Sequence, residues 1–371
     1  MKKKALIFYI TENSGHFHAA TAIANALNSF DKNIEPILVN AFNYTNPFLG
    51  NILTRVYLAV IKKKPEIWSN LYDNPEVFEK TRKARMLINK FNMPKIKRLI
   101  EKHSPNIIYC TQAFPCGMIA EYKKKYQKDI PLVAVLTDHA PHSYWIFDEV
   151  TEYIVPSKKT AASLEQKGVS PEKIKVYGIP ISPTFNKTLD KEKILKDYNL
   201  SKEHPIILLM GGSHGLGSIE KTVETFIANK EKIYQLLVVT GINKKLYARL
   251  LKIAKGNRNI RIFGYINKIE ELMEIADIII TKSGGITTSE ALAKKLPIII
   301  MDPIPGQERL NAEYLKEEGA AIEVSDSNEL YKIIEELFAS RAKLENMKNN
   351  AARLGMPESA LKIAEHFTAG V

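Results

Sequence analysis

The chain has 371 residues, 45% of them hydrophobic and 25% charged, a globular balance in a length beyond what one core usually serves, so two domains of about 150 to 200 residues are expected. No apolar run reaches the roughly 18 residues of a membrane-crossing helix, and the two cysteines, Cys110 and Cys116, lack metal-site or disulfide-framework spacing, which excludes a disulfide scaffold and suits a reducing, cytoplasmic setting. The formal charge of +12 admits a polyanionic partner, and residues 42–104, with 13 Lys/Arg against 5 Asp/Glu, carry +8 of it.

The opening MKKKALIFYI is basic then apolar, but its apolar run covers only Ala5 to Ile10 and meets Thr11-Glu12-Asn13 without a small-residue cleavage site, so it predicts a first buried strand rather than a leader. TENSGHFHAATAIANAL (11–27) then predicts a glycine turn and a helix whose Ala19, Ala20, Ala22 and Ala24 allow close approach to a sheet. Gly15 and His16 fall at that helix's N-terminus, on the crest where ligands of such sheets bind. A positive helix end disfavours the imidazolium, leaving His16 in the neutral form a general base needs; the plainer alternative is a polar cap. His18 is read as structural.

After EPILVN, segment 48–61 (FLGNILTRVYLAVI) places apolar residues at 48/49, 52/53, 56/57 and 60/61, followed by Lys62, Lys63 and Lys64. Trp68, Tyr72, Phe78 and Phe91 follow, with eight more cations between Lys80 and Arg98. Such a face more often meets a core, but its collar of cations and aromatics points to an anionic bilayer surface.

NIIYC and PLVAVL are the next strands. TDHAPHSYW (137–145) puts Asp138, His139 and His142 at another strand end. The two histidines suggest a metal pair, but the neighbouring sequence offers only Asp138 and Cys116 beside them, and no metal is expected. Asp138 is read as orienting a base or an acceptor hydroxyl, and His142, Tyr144 and Trp145 as acceptor or membrane contacts. For the two larger aromatics, packing of the loop by its own rings is an equal alternative.

EYIV and KIKVYG close a first set of six strands, and PIILLM, QLLVVT, NIRIF, DIIIT, PIIIM and AAIEV form a second. Short continuous apolar runs alternating with helical patterns predict parallel sheets covered on both faces. Residues 178–205 are rich in Pro, Lys and turn formers, which puts the boundary near residue 187. The expected architecture is α/β, with two Rossmann-like domains, 1–187 and 188–350, facing a cleft and a C-terminal helix in 351–371 that packs back on the first domain.

Two glycine turns mark the second half. MGGSHGLGS (210–218) follows PIILLM, and its Gly212, Ser213, His214 and Gly215 are expected to present N–H groups to a diphosphate, although the glycine spacing is not the dinucleotide fingerprint. Ser283, Gly284 and Gly285 follow DIIIT at the start of the next helix, with Thr287 in its first turn. Glu290, five residues past Gly285, is placed to hold sugar hydroxyls. PGQERLNAEY (305–314) opens a helix with Gln307 and Glu308, an amide and a carboxylate suited to a sugar; for Glu308 a favourable early helix acid is the alternative.

Together GHFHAATAI, the run from TDHAPHSYW to GIPISPTF, GGSHG, FGYINKIEELMEIADIIITKSGGITTSEAL and PGQERLNAEYLKEEGAA resemble the monogalactosyldiacylglycerol synthase and processive diacylglycerol glucosyltransferase family, up to about residue 350. The C-terminal half is also similar to the glucosaminyltransferase of peptidoglycan precursor synthesis. The resemblance implies a B-type glycosyltransferase that inverts the anomeric centre, moving a hexose from a UDP-sugar to the 3-hydroxyl of diacylglycerol or a glycolipid, with no metal or cofactor in the chemistry. It further implies a peripheral enzyme at the inner face of the cell membrane.

By position, the resemblance makes His16 the base, Glu290 the ribose carboxylate, the glycine turns the diphosphate contacts, and Gln307 with Glu308 the donor-sugar contacts. It makes Phe263, Gly264 and Tyr265 the uracil loop, and Trp145 an aromatic beside acceptor and membrane. Plant members carry a glycine run where this chain has Asn13-Ser14-Gly15, and the wording of GGSHG and PGQERLNAEY is nearer the bacterial glucosyl branch, which favours glucose over galactose. A UDP-sugar transferase with another acceptor and a nucleotide-sugar 2-epimerase stay open. Base-stacking and groove-reading signatures are absent, so no nucleic-acid partner is expected.

Overall fold

The computed structural model describes residues 2–45, 91–229 and 233–370. These residues form two compact units: the first runs to Pro183 and takes in Pro305–Gln307 and the chain from Glu358 onward, and the second comprises Thr184–Ile304 and Glu308–Pro357. The segment 48–61 and Lys62, Lys63 and Lys64 lie outside the described residues. Among the described residues, no helix is long and apolar enough to cross a membrane.

In the first unit β1 (Lys3–Tyr9), β2 (Ile34–Asn40), β3 (Ile107–Cys110), β4 (Leu132–Val135), β5 (Glu152–Val155) and β6 (Ile174–Val176) form a parallel sheet ordered β2-β1-β3-β4-β5-β6. The register pairs Phe8 with both Val39 and Cys110. Strand periodicity divides β1 between two cores. Leu6 and Phe8 join Ile108, Leu132, Met118 and Tyr122 on one side. Ala5, Ile7 and Tyr9 join Ile23, Leu27, Ile107 and Val133 on the other.

The second core is closed by two helices that touch, Gly15–Phe30 and Ser359–Gly370. Ala20, Ala24, Ala360 and Ala364 all lie within it, with Ile363 and Phe367, and small side chains let helix backbones come close. Ser359 Oγ donates to the Gly178 carbonyl at 2.9 Å, and His366 Nε2 lies 2.8 Å from the Glu152 carboxylate. The described part of the cationic stretch, helix 91–103, turns Met93, Ile96, Leu99 and Ile100 into the first core, while Lys95 and Arg98 are exposed.

In the second unit β7 (Ile206–Met210), β8 (Gln235–Val239), β9 (Ile260–Phe263), β10 (Ile278–Thr281), β11 (Ile298–Met301) and β12 (Ala321–Val324) form a parallel sheet ordered β12-β11-β10-β7-β8-β9. The β-branched strands are buried on both faces, the pattern expected of parallel sheets. Helix Arg341–Leu354 belongs wholly to this unit, so a boundary at 350 would cut through it. It stops at Gly355, where a Cβ would stand 2.5 Å from the Leu292 carbonyl oxygen. The last helix therefore begins at Ser359 rather than 351.

Ala364 is fully buried between its helix neighbours. Ala364→Leu is expected to overpack that seam and destabilise the protein by about 1–3 kcal/mol, read from the midpoint of urea unfolding.

Candidate functional site

A parallel sheet has a crevice at its strand C-termini where the order reverses. In the first unit the reversal lies between β1 and β3. The chain leaves β1 through Thr11 and Asn13, both with φ near +56°, and enters the helix Gly15–Phe30 with Ser14 as its cap. Asn13 thus adopts the left-handed backbone that a glycine takes most easily, without being one. Ser14 Oγ accepts from Phe17 N–H at 3.2 Å and itself donates to the Ile10 and Thr11 carbonyls at 2.9 and 2.7 Å. The cap is therefore Ser14, and His16 stands one residue inside the helix.

His16 Nδ1 lies 2.8 Å from the Thr111 carbonyl oxygen, just past β3, and 3.1 Å from Thr137 Oγ1, just past β4. A carbonyl can only accept, so Nδ1 carries the proton and Nε2 the lone pair. Thr111 Oγ1 closes the loop by donating to the His16 carbonyl at 2.9 Å. Desolvation lowers the imidazole's pKa to about 4, against the smaller opposing effect of the Thr111 bond. The result is a neutral imidazole of fixed tautomer at the switch point. Neither Thr111 nor Thr137 stands out in the sequence.

Asp138 follows Thr137 directly and is partly exposed at the same row of strand ends. His139, His142 and Trp145 of that loop are buried. Trp145 is only 5% exposed and belongs to the first core, with its ring stacked 6.1 Å from that of His142, which also meets Tyr144 edge-on at 5.3 Å. A buried Trp145 packs the loop rather than offering a surface to a bilayer, which is the self-packing alternative raised for it above.

In the second unit the reversal lies between β7 and β10, the two strands that the glycine turns follow. The first turn is held tightly: Leu216 N–H donates to the Gly211 carbonyl at 2.9 Å, and Ile242 N–H to that of Ser213 at 2.9 Å. Gly215 has φ +56°, and a Cβ there would stand 2.4 Å from the Thr240 carbonyl oxygen. Only glycine fits that approach. His214 is half-buried in the same turn. At the far end of this loop Asp302 Oδ2 accepts from Ser218 N–H at 2.7 Å, so a carboxylate already meets the N-terminus of helix Ile219–Ala228. The two glycine turns are therefore not equivalent anion sites.

The second turn has no such carboxylate cap. Helix Gly285–Ala293 starts at Gly284 with no side-chain cap hydrogen bond, and an uncapped helix N-terminus is the kind that can receive an anion. Ser283 is fully buried and its hydroxyl donates to the Glu308 carbonyl at 2.5 Å, so it anchors the turn. Thr288 Oγ1 donates back to the Gly284 carbonyl at 3.0 Å, while Thr287 is half-buried. Glu308, at the second position of helix Gln307–Glu317, engages both carboxylate oxygens within this unit: Oε1 meets Lys282 Nζ at 2.7 Å and Oε2 accepts from Ile304 N–H at 3.0 Å. The residue read as a sugar contact is thus tied to the turn. Gln307 is half-buried at that helix's first position.

Glu290 sits in the second helical turn, partly exposed yet walled by protein atoms. Its desolvation, with the nearby negative charge of Glu270 second, pushes its pKa up to about 8. Its carboxyl has no hydrogen-bond partner among the described residues. Past β9, Thr240 N–H and Oγ1 both hold the Phe263 carbonyl, at 2.9 and 3.0 Å, and Gly264 has open space where a Cβ would be. Tyr265 is 48% exposed. Phe263, Gly264 and Tyr265 thus continue the row of strand ends begun by the glycine turns.

Residues 16–181 match the model of monogalactosyldiacylglycerol synthase, and residues 206–365 that of the glycosyltransferase family 28 C-terminal domain. The chain is 31% identical over 366 residues to the processive diacylglycerol beta-glucosyltransferase of Bacillus pumilus, covering 98% of this chain and 94% of that one. The chain belongs to this family. The namesake of Bacillus cytotoxicus is 33% identical over 365 residues, 98% of this chain and 92% of that one.

Solved structures share the glycosyltransferase B-type fold. MurG of Acinetobacter baumannii aligns with a TM-score of 0.66 at 13% identity, over 99% of this chain and 100% of that one. MnaA of S. aureus, solved with UDP, aligns at 0.65 and 18%, over 99% and 96%. The protein is a glycosyltransferase of the family that makes diacylglycerol glycolipids.

The site's ionisable groups set a pH profile of stability. His16 and His139 are lowered by burial from 6.5 to about 4 and about 3, so each stabilises the fold fully above pH 6.5 and loses that contribution as pH falls through its folded value. Glu290 is raised from 4.5 to about 8, so its contribution is full below pH 4.5 and is lost as pH rises to 8. Unfolding free energy is expected to peak near pH 6.5, and Glu290→Gln to flatten the decline between 6.5 and 8. Denaturant titrations at stepped pH check both limbs.

Proposed function

We propose that this protein transfers a hexose, glucose in preference to galactose, from a UDP-sugar to the 3-hydroxyl of diacylglycerol or a glycolipid, with inversion at C1 and at a membrane surface. The observation that carries the reading is the His16 imidazole, fixed with Nε2 unprotonated by the Thr111 carbonyl. The names of the Bacillus relatives support the glucosyl donor and diacylglycerol acceptor, and the UDP complex of S. aureus MnaA supports the nucleotide. The excess of cations in residues 42–104 supports action at an anionic surface.

In the proposed reaction His16 Nε2 takes the acceptor hydroxyl's proton as that oxygen attacks C1 from the face opposite the UDP. The new C–O bond forms as the bond from C1 to the phosphate oxygen breaks. The imidazolium keeps its Nδ1–H bond to Thr111, which stabilises the charge it gains. Negative charge growing on the leaving diphosphate meets the open N-terminus of helix Gly285–Ala293. Asp138, beside Thr137, orients the acceptor. Glu290 takes the ribose hydroxyls, and the exposed strand end at Phe263–Tyr265 takes the uracil.

Diacylglycerol vesicles incubated with labelled UDP-glucose or UDP-galactose and separated by thin-layer chromatography are expected to yield labelled glycolipid, more from glucose. His16→Ala should lower kcat by about 10²–10⁴-fold with UDP affinity nearly unchanged. Release of free sugar without lipid would instead indicate an epimerase, and undiminished turnover in the variant would remove His16 as the base.

Hydroxyls donating to Glu290 favour its ionised form and pull its pKa down from about 8. UDP binding at pH 7 is thus expected to release a proton and to strengthen as pH rises toward 8. Calorimetry in buffers of different ionisation enthalpy measures the proton, and Glu290→Gln should abolish its release while weakening UDP.

A further inference from the structure

We infer that Lys282 binds the diphosphate of the donor, with its ammonium held at the glycine turn by Glu308 as a positioning residue; this rests on the UDP-sugar reading above. Lys282 leaves β10 at the point where the second sheet reverses order. Its side chain is only 13% exposed, and lysines are rarely so covered unless a partner holds them. The partner is Glu308, itself 15% exposed, at 2.7 Å.

Glu308 is fixed from both ends. Its Oε2 accepts from Ile304 N–H at 3.0 Å, and its carbonyl accepts from Ser283 Oγ at 2.5 Å. Its Oε1 lies 3.8 Å from where Gly284 would carry a Cβ, and Lys282 Cε lies 3.9 Å from the same point on Gly212. The lysine stem thus runs beside the first glycine turn while its ammonium rests against the second. An ammonium has three donors; one serves Glu308, and the others have no partner among the described residues.

The first turn supplies a contrast. The carboxylate of Asp302 already meets the helix after it, and a diphosphate approaching there would face a fixed negative charge. The turn beside Lys282 offers instead an uncapped helix end and a cation. Glu308 neutralises that cation without removing it. An arriving diphosphate then finds a compact charge in place and loses little freedom in meeting it.

The test compares the affinities of UDP and uridine for the full-length protein by calorimetry. Lys282→Met is expected to weaken UDP about 10- to 100-fold and leave uridine unchanged. Lys282→Arg should recover part of the loss, and Glu308→Gln should weaken UDP less than Lys282→Met while sparing uridine. Thermal melts of each variant run alongside, and if Lys282→Met does not fold, the other two variants carry the comparison. Equal weakening of UDP and uridine, or no change in either, overturns the inference while the donor reading stands. Failure of the wild-type protein to bind UDP overturns both.

Discussion

Where a parallel sheet reverses its direction of growth, the connections on the two sides leave for opposite faces, and the strand ends between them stay uncovered. The first sheet does this between β1 and β3, and the second between β7 and β10. The hydrogen bond from the His16 imidazole to the Thr111 carbonyl spans the first gap, and the stem of Lys282 beside Gly212 spans the second. Shifting either neighbouring strand by one residue would exchange the faces of the sheet and dissolve these pairings. The apolar interior of both sheets therefore sets the positions of the polar side chains at the crest.

The polar groups at these gaps share an electrostatic design. The imidazole is kept uncharged by burial, the Glu290 carboxyl is held close to neutrality, and the Lys282–Glu308 pair sums to zero. Little uncompensated charge is thus sequestered before a ligand arrives, which limits the desolvation penalty on folding. In the proposed reaction the same groups would become strongly polar partners for a diphosphate and hydroxyls, because the surroundings screen them weakly.

Twelve strands were legible because each is a short apolar run bounded by turn formers, and a parallel strand buried on both faces needs nothing subtler. The glycine turns were legible for the same local reason. What escaped was every feature fixed by residues distant in sequence: Thr111 and Thr137 locking an imidazole about a hundred positions away, Asp302 reaching back to Ser218, and Glu308 turned onto Lys282. Lys282 offered one faint signal, a lone cation directly before Ser-Gly-Gly at a strand end. Trp145 shows why two readings stood level, since an aromatic beside histidines in a loop reads the same whether it faces a ligand or a core, and its ring lies in the core.

The final helix has a consequence for how the molecule comes into being. Because residues 359–370 complete the core around Ala20, Ile23 and Leu27, the emerging polypeptide cannot finish its first unit until the whole second unit, Thr184–Ile304 and Glu308–Pro357, has been synthesised. During that interval an oily alanine-lined stripe stays wet and adhesive. Nascent copies crowded on one messenger RNA would be exposed to mutual sticking there, a hazard that ends only when the tail docks.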